Sequence, residues 1–80
     1  MNKEEVMVAL AAITSHITGI DADRVVPTAA LAGDLELDSM AVAEIAAAAE
    51  ERFGIKIPDS AIESFITVED LLDYIHARLG

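Results

Sequence analysis

Apolar residues recur at helical spacing in three stretches of the chain, and the segments between them lose that period. In the first stretch Val6, Leu10, Ile13 and Ile17 follow one another at three- and four-residue steps, with Ala9 beside them. Such spacing places the side chains on one face of a helix, predicted from about Asn2 to Thr18. Glu4 and Glu5 fall in its first turn, where the helix dipole favours acids, and Gly19 supplies a stop. From Ile20 to Leu37 the period is broken by Asp21, Asp23, Pro27, Thr28 and Gly33. A long loop is predicted there, with Ile20, Val25, Val26, Leu31, Leu35 and Leu37 as apolar anchors and a short helical turn around Thr28 to Leu31.

The period returns from Ser39 to Phe53. At ~100° per residue, Val42, Ile45, Ala46, Ala49 and Phe53 form a core face. Met40, Glu44, Ala47 and Glu51 form a separate strip turned to solvent. Gly54 closes this helix. Ile55 to Pro58 is too short for a paired strand and reads as an extended linker. Asp59 or Ser60 is expected to cap a short helix reaching about Ser64, with Phe65 and Ile66 as further anchors. Thr67 then opens the last helix, with Asp70 completing a relative of the capping box. Val68, Leu71, Leu72, Ile75 and Leu79 make its buried stripe. The pattern predicts an all-α fold: a small four-helix bundle of three longer helices and one short one, with a long loop between the first and second. A single domain over residues 1–80 is expected.

Composition narrows the chemistry. Cysteine is absent, so neither a disulfide nor a thiolate metal site is available. Fifteen acidic residues against five basic ones give a formal charge of −10. Such a surface is repelled by nucleic-acid phosphates and by anionic membranes, and it favours protein partners with basic patches. The absence of Trp and the 4% aromatic content also argue against base stacking. Val6 to Ile13 is apolar, but Glu4 and Glu5 precede it where a signal peptide requires positive charge. No run approaches the ~18 apolar residues that would cross a bilayer. A cytoplasmic monomer is expected.

Catalytic groups are sparse. The histidines, His16 and His76, lie near the ends of the outer helices, and no nucleophile elbow surrounds Ser39. A self-contained enzyme is not expected. Asp34, Glu36 and Asp38 alternate as in part of a calcium loop, but without its central glycine and distal glutamate, so no metal site is assigned. Glu50–Glu51 and Glu69–Asp70 read as solvated pairs. Ser39 has two readings from its position alone. It caps the second helix, or it carries an anionic group favoured at a helix N-terminus.

Asp38-Ser39-Met40 resembles the Asp-Ser-Leu signature of acyl carrier proteins. The resemblance extends along most of the chain. It includes Gly19-Ile20 with Val25, Asp34-Leu35, Glu44-Ile45, the run from Glu50 to Asp59 (similar to the family's "EEFG-x-x-IPD"), Thr67 to Asp70, and Asp73-Tyr74-Ile75. It implies that Ser39 receives a 4′-phosphopantetheine arm from coenzyme A, installed by a phosphopantetheinyl transferase. It implies that acyl groups ride on the arm as thioesters and are presented to acyl-loading enzymes, ketosynthases and other acyl-processing enzymes of fatty-acid or polyketide type. Asp38 would cap the helix or contact the transferase. Met40, Glu44, Ala47 and Glu51 would form the strip that docks basic patches. Two alternatives stand beside this reading: an aminoacyl or D-alanyl carrier, and an acidic helical interaction module in which Ser39 is only an N-cap.

The chain departs from the family pattern at several positions. Met40 replaces the common leucine, as in carriers of D-alanine. Ala41 stands where many fatty-acid carriers have an acid, and Glu36 where glycine is frequent. Ala46 to Ala49 replace bulkier residues in mid-helix. The family shelters acyl chains between its helices, so this alanine run either enlarges such a pocket or is compensated by closer helix packing.

Overall fold

The first helix, α1 (Lys3–Thr18), begins at a reciprocal cap. Asn2 Oδ1 accepts the Glu5 N–H at 2.8 Å, and Glu5 Oε1 accepts the Asn2 N–H at 3.0 Å. Two otherwise unpaired backbone donors are thereby satisfied. Asn2 is thus the cap rather than the first helical residue. Gly19 ends the helix in the left-handed conformation, φ +78°, which only glycine adopts at little cost. Val6, Leu10 and Thr14 are buried, and Ile13 and Ile17 are half-buried. Thr14 is a polar residue in the core, but its hydroxyl donates to the Leu10 carbonyl at 2.9 Å.

These features come from a computed structural model that describes residues 1–79. After α1 come α2 (Ser39–Phe53), α3 (Asp59–Ser64) and α4 (Val68–Leu79), so the predicted all-α bundle is the observed one. α1 packs on α2 and α4, and α2 also contacts α3 and α4. Leu10, Ile45, Leu71, Ile75, Val6 and Val68 form the fully buried centre. Removing each from water contributes about 1.5–3 kcal/mol. Ala46 and Ala49, at 1% and 0% exposure, are part of this packing.

The long loop departs from expectation in two places. Its one helical turn is a 3-10 turn at Ala22–Arg24, capped by Asp21, and not at Thr28–Leu31. The backbone of that later segment is committed elsewhere. Glu69 N–H donates to the Pro27 carbonyl at 2.9 Å, Val68 N–H to Ala29 at 3.0 Å, and Leu31 N–H to the Ile66 carbonyl at 2.9 Å. The loop is thus clamped to the start of α4, with a single antiparallel bridge between Ala30 and Thr67. Among the expected anchors Val25, Leu31, Leu35 and Leu37 are buried, whereas Val26 is 42% exposed. Adjacent residues of an extended chain face opposite sides, and Val25 takes the inward one. Ala29, which the apolar pattern did not single out, is buried.

The remaining corrections concern caps. α3 begins at Pro58 with no side-chain cap; Asp59 and Ser60 both lie inside the helix, and the Pro58 carbonyl accepts from Ala61 and Ile62. Glu50 is not a solvated acid, because its Oε2 accepts the Ile57 N–H at 2.7 Å and draws the extended linker onto α2. Asp70 likewise has a structural role. Its Oδ2 accepts the N–H groups of Ile66 at 2.8 Å and Thr67 at 3.0 Å, while Thr67 Oγ1 accepts the Asp70 N–H at 3.3 Å. The anticipated capping-box relative is present.

Candidate functional site

Ser39 stands where the clamped loop enters α2. Leu37, buried just before it, donates its N–H to the Leu31 carbonyl at 2.9 Å. Asp34 holds the preceding turn, with Oδ2 accepting the Ala30 N–H at 2.7 Å, and Arg24 Nη2 donates to the Asp34 carbonyl at 2.9 Å. Between the buried Leu35 and Leu37, Glu36 is exposed and adopts φ +54°. The glutamate therefore takes the left-handed turn that glycine makes more cheaply.

Asp38, not Ser39, is the N-cap. Its backbone is extended, and its Oδ1 accepts the Ala41 N–H at 2.8 Å. Ser39 is the first helical residue and is exposed. This arrangement corrects the reading of Ser39 as the cap. With the capping acceptor supplied by its neighbour, the serine hydroxyl lies outside the cap and faces solvent at the positive end of a helix. An anionic group attached there meets the favourable end of the dipole.

A cavity of about 440 Å³ opens beside Ser39. Leu31, Leu37, Val42, Ile62, Phe65 and Ile66 give it apolar walls, and Asp38 and Glu63 are also among its lining residues. Its walls come from the loop, the first turns of α2, and the segment of α3 and its exit. Ala46 and Ala49 do not line it. Both are buried in the packing of the helices. Phe65 and Ile66 were expected as core anchors. Phe65 is half-buried in the cavity wall, whereas Ile66 is 71% exposed. Periodicity along one helix could not reveal these lining residues, because the wall is built from segments as far apart in the chain as Leu31 and Ile66.

The four residues of the expected docking strip lie on the surface. Met40 is 70% exposed, and Glu44, Ala47 and Glu51 are exposed along the same helix. Among the described residues no group of three or more His, Cys, Asp or Glu side chains is arranged to hold a metal, and no helix is long and apolar enough to cross a membrane. His16 is exposed and His76 half-buried, each in the last turn of its helix.

A loop-held serine thus stands at the head of a helix, beside an apolar cavity in a small acidic bundle. The family model for the phosphopantetheine attachment site matches residues 8–75. The chain belongs to this family, the acyl carrier proteins, whose cofactor is phosphopantetheine. It is similar to the acyl carrier protein of Acidothermus cellulolyticus, with 40% identity over 94% of this chain and 89% of that one. The acyl carrier protein of Thermosynechococcus vestitus is 39% identical over 100% of this chain and 99% of its own. A meromycolate extension acyl carrier protein from Mycolicibacterium smegmatis is 38% identical over 91% of this chain and 74% of its own. The solved structure of the acyl carrier protein from Enterococcus faecalis superposes with a TM-score of 0.77 at 36% identity, covering 96% of this chain and 98% of that one.

Proposed function

We propose that Ser39 Oγ is the point at which the 4′-phosphopantetheine arm is attached, and that the chain is a non-catalytic carrier of acyl thioesters. The observation that carries this reading is the placement of Ser39: exposed, free of capping duty, and on the edge of an apolar cavity. When bound, the arm supplies the thiol that a cysteine-free chain lacks. The chain's own residues do the rest. Asp38 caps α2 and keeps the hydroxyl facing out, and the loop clamp fixes where the hydroxyl stands. The apolar cavity supports a fatty-acid or polyketide-type cargo over an aminoacyl one.

In this reading Met40, Glu44, Ala47 and Glu51 form the face on which partners dock. The partners are the phosphopantetheinyl transferase and then acyl-loading, ketosynthase and other acyl-processing enzymes with basic patches. A methionine among acids suits a weak, reusable interface steered by charge. A single cytoplasmic carrier domain acting as a monomer fits this role.

The test is intact-mass measurement after incubation with coenzyme A and a broad-specificity phosphopantetheinyl transferase. The wild-type chain is expected to gain one arm and Ser39→Ala none. A gain that persists in Ser39→Ala would move the attachment elsewhere.

A further inference from the structure

Glu36 holds φ +54° three residues before Ser39. A backbone other than glycine stays in that region only where its surroundings fix it. On the C-terminal side the tie is a backbone one, Leu37 N–H to the Leu31 carbonyl at 2.9 Å. On the N-terminal side the Asp34 carbonyl accepts from Arg24 Nη2 at 2.9 Å, between residues ten positions apart. The other polar groups of Asp34 close onto Ala30. The Asp34 N–H donates to the Ala30 carbonyl at 3.0 Å, and Asp34 Oδ2 accepts the Ala30 N–H at 2.7 Å. Ala30 is in turn bridged to Thr67, just ahead of α4. Arg24 comes from a different part of the fold. It ends the 3-10 turn that packs on α1, its N–H donates to the Asp21 carbonyl at 2.9 Å, and Val25 after it is buried. Its guanidinium therefore joins the α1 side of the loop to the α4 side, at the turn from which the chain runs to Ser39.

We propose that Arg24 is a positioning residue for attachment of the arm: by holding the Asp34 carbonyl it fixes the turn at Glu36 and, through that turn, where Ser39 Oγ stands. This rests on Ser39 as the attachment point. In that reaction Oγ bonds to the phosphorus that carries the arm, the adenosine bisphosphate part of coenzyme A leaves, and the serine proton is lost. The rate of the step depends on how well the oxygen is placed against that phosphorus. The charge of Arg24 works the other way. Arg24 is the one lysine or arginine between Lys3 and Arg52, in a chain of charge −10. A positive charge there weakens the attraction of a basic partner. Hydrogen bond and charge thus predict opposite effects when Arg24 is neutralised. Loss of the bond slows the step that follows docking, whereas loss of the charge tightens docking. A guanidinium suits the first task, because it stays protonated and carries its donors in a fixed plane.

The test follows single turnovers of arm attachment by intact mass, with coenzyme A and a broad-specificity phosphopantetheinyl transferase in excess, for the wild-type chain, Arg24→Met and Arg24→Lys. Methionine removes the donors and the charge, whereas lysine keeps a donor and the charge. Two quantities are read: the limiting rate, and the transferase concentration that gives half of it. In Arg24→Met the limiting rate is expected to fall about three- to tenfold, with the half-saturating concentration unchanged or lower. Arg24→Lys is expected to recover most of the lost rate. The amide NMR signals of Glu36 and Ser39 are expected to move in Arg24→Met before any transferase is added. An unchanged limiting rate overturns the proposal. So does a loss confined to the half-saturating concentration, which would make Arg24 a docking contact. A wild-type chain that gains no mass, or a gain that persists in Ser39→Ala, instead overturns attachment at Ser39, and the proposal with it. Thermal melts set the assay temperature well below the transition of every variant, where a change in global stability alone moves neither quantity.

Discussion

Asp38 and Ser39 separate two tasks that the position of Ser39 alone left as alternatives for one residue. Capping requires an acceptor turned back toward the N–H groups of the first turn, whereas attachment requires an oxygen turned outward. The Asp38 carboxylate, 2.8 Å from the Ala41 nitrogen, performs the first and leaves the Ser39 hydroxyl free for the second, as proposed above. Asp38→Ala is therefore expected to lower stability by about 1 kcal/mol, in the range for a lost N-cap. Ser39→Ala, by contrast, is expected to leave stability nearly unchanged. Urea unfolding of both variants checks this, and a larger loss from the serine than from the aspartate would return the cap to Ser39. Neighbouring residues show why the serine's identity was easier to read than its geometry. The run Asp38-Ser39-Met40 is local, and its resemblance to a known signature is visible in the letters. Which of two adjacent polar residues caps depends on where the chain enters the helix. Here Leu35 and Leu37 in the core and Glu36 at φ +54° decide that.

The helices were legible because each carries its own period, and the corrections gather where a segment is held by another far along the chain. α1, α2 and α4 could be placed from apolar spacing, and both glycine stops hold, at Gly19 and Gly54. The loop clamp joins residues 27–31 to 66–69 through backbone groups, which carry no side-chain signature. The same gap hid the role of Glu50, whose partner is seven residues away. Asp70 is the exception, since a threonine three residues before an aspartate at the start of an apolar period announces a cap. The N–H groups of Thr67 and Ile66 hold its carboxyl below the ordinary value of 3.8. A lowered acid favours the folded state through its charged form. That contribution is present above the unfolded-state value and is lost as pH falls through the lower folded-state value. Asp70→Ala is accordingly expected to cost about 1 kcal/mol near neutrality, as for other caps, and the gap from wild type is expected to close as pH falls below 4. Urea midpoints measured in parallel for the two proteins isolate this effect from the other acids. A gap that stays constant through the acid range would assign Asp70 a role other than that of a charged cap.

At the scale of the whole molecule, a charge of −10 sits on a body with a radius of gyration of 11.1 Å. Several carboxylates are occupied by backbone N–H groups: Glu5, Asp21, Asp34, Asp38, Glu50 and Asp70. These contacts position the chain but cancel no charge. Lys3 and Asp73 tie α1 to α4 across 2.6 Å, but both are about half exposed, and pairs of that kind contribute little. The fold is therefore compressed against its own field. The Debye length is about 10 Å at 0.1 M salt and about 30 Å at 0.01 M. With rising salt the screening distance passes from about the 30 Å length of the molecule to about its 11.1 Å radius of gyration, so monovalent salt is expected to stabilise the chain, by on the order of 1 kcal/mol. The same screening acts with the opposite sign on function. The acidic strip from Met40 to Glu51 is read as attracting basic partners over distance, and salt shortens that reach. Urea midpoints should therefore rise from 0.01 to 0.1 M sodium chloride, while the association rate with a phosphopantetheinyl transferase falls. If salt raised both, the acidic surface would serve solubility alone, and docking would rest on the apolar contact at Met40.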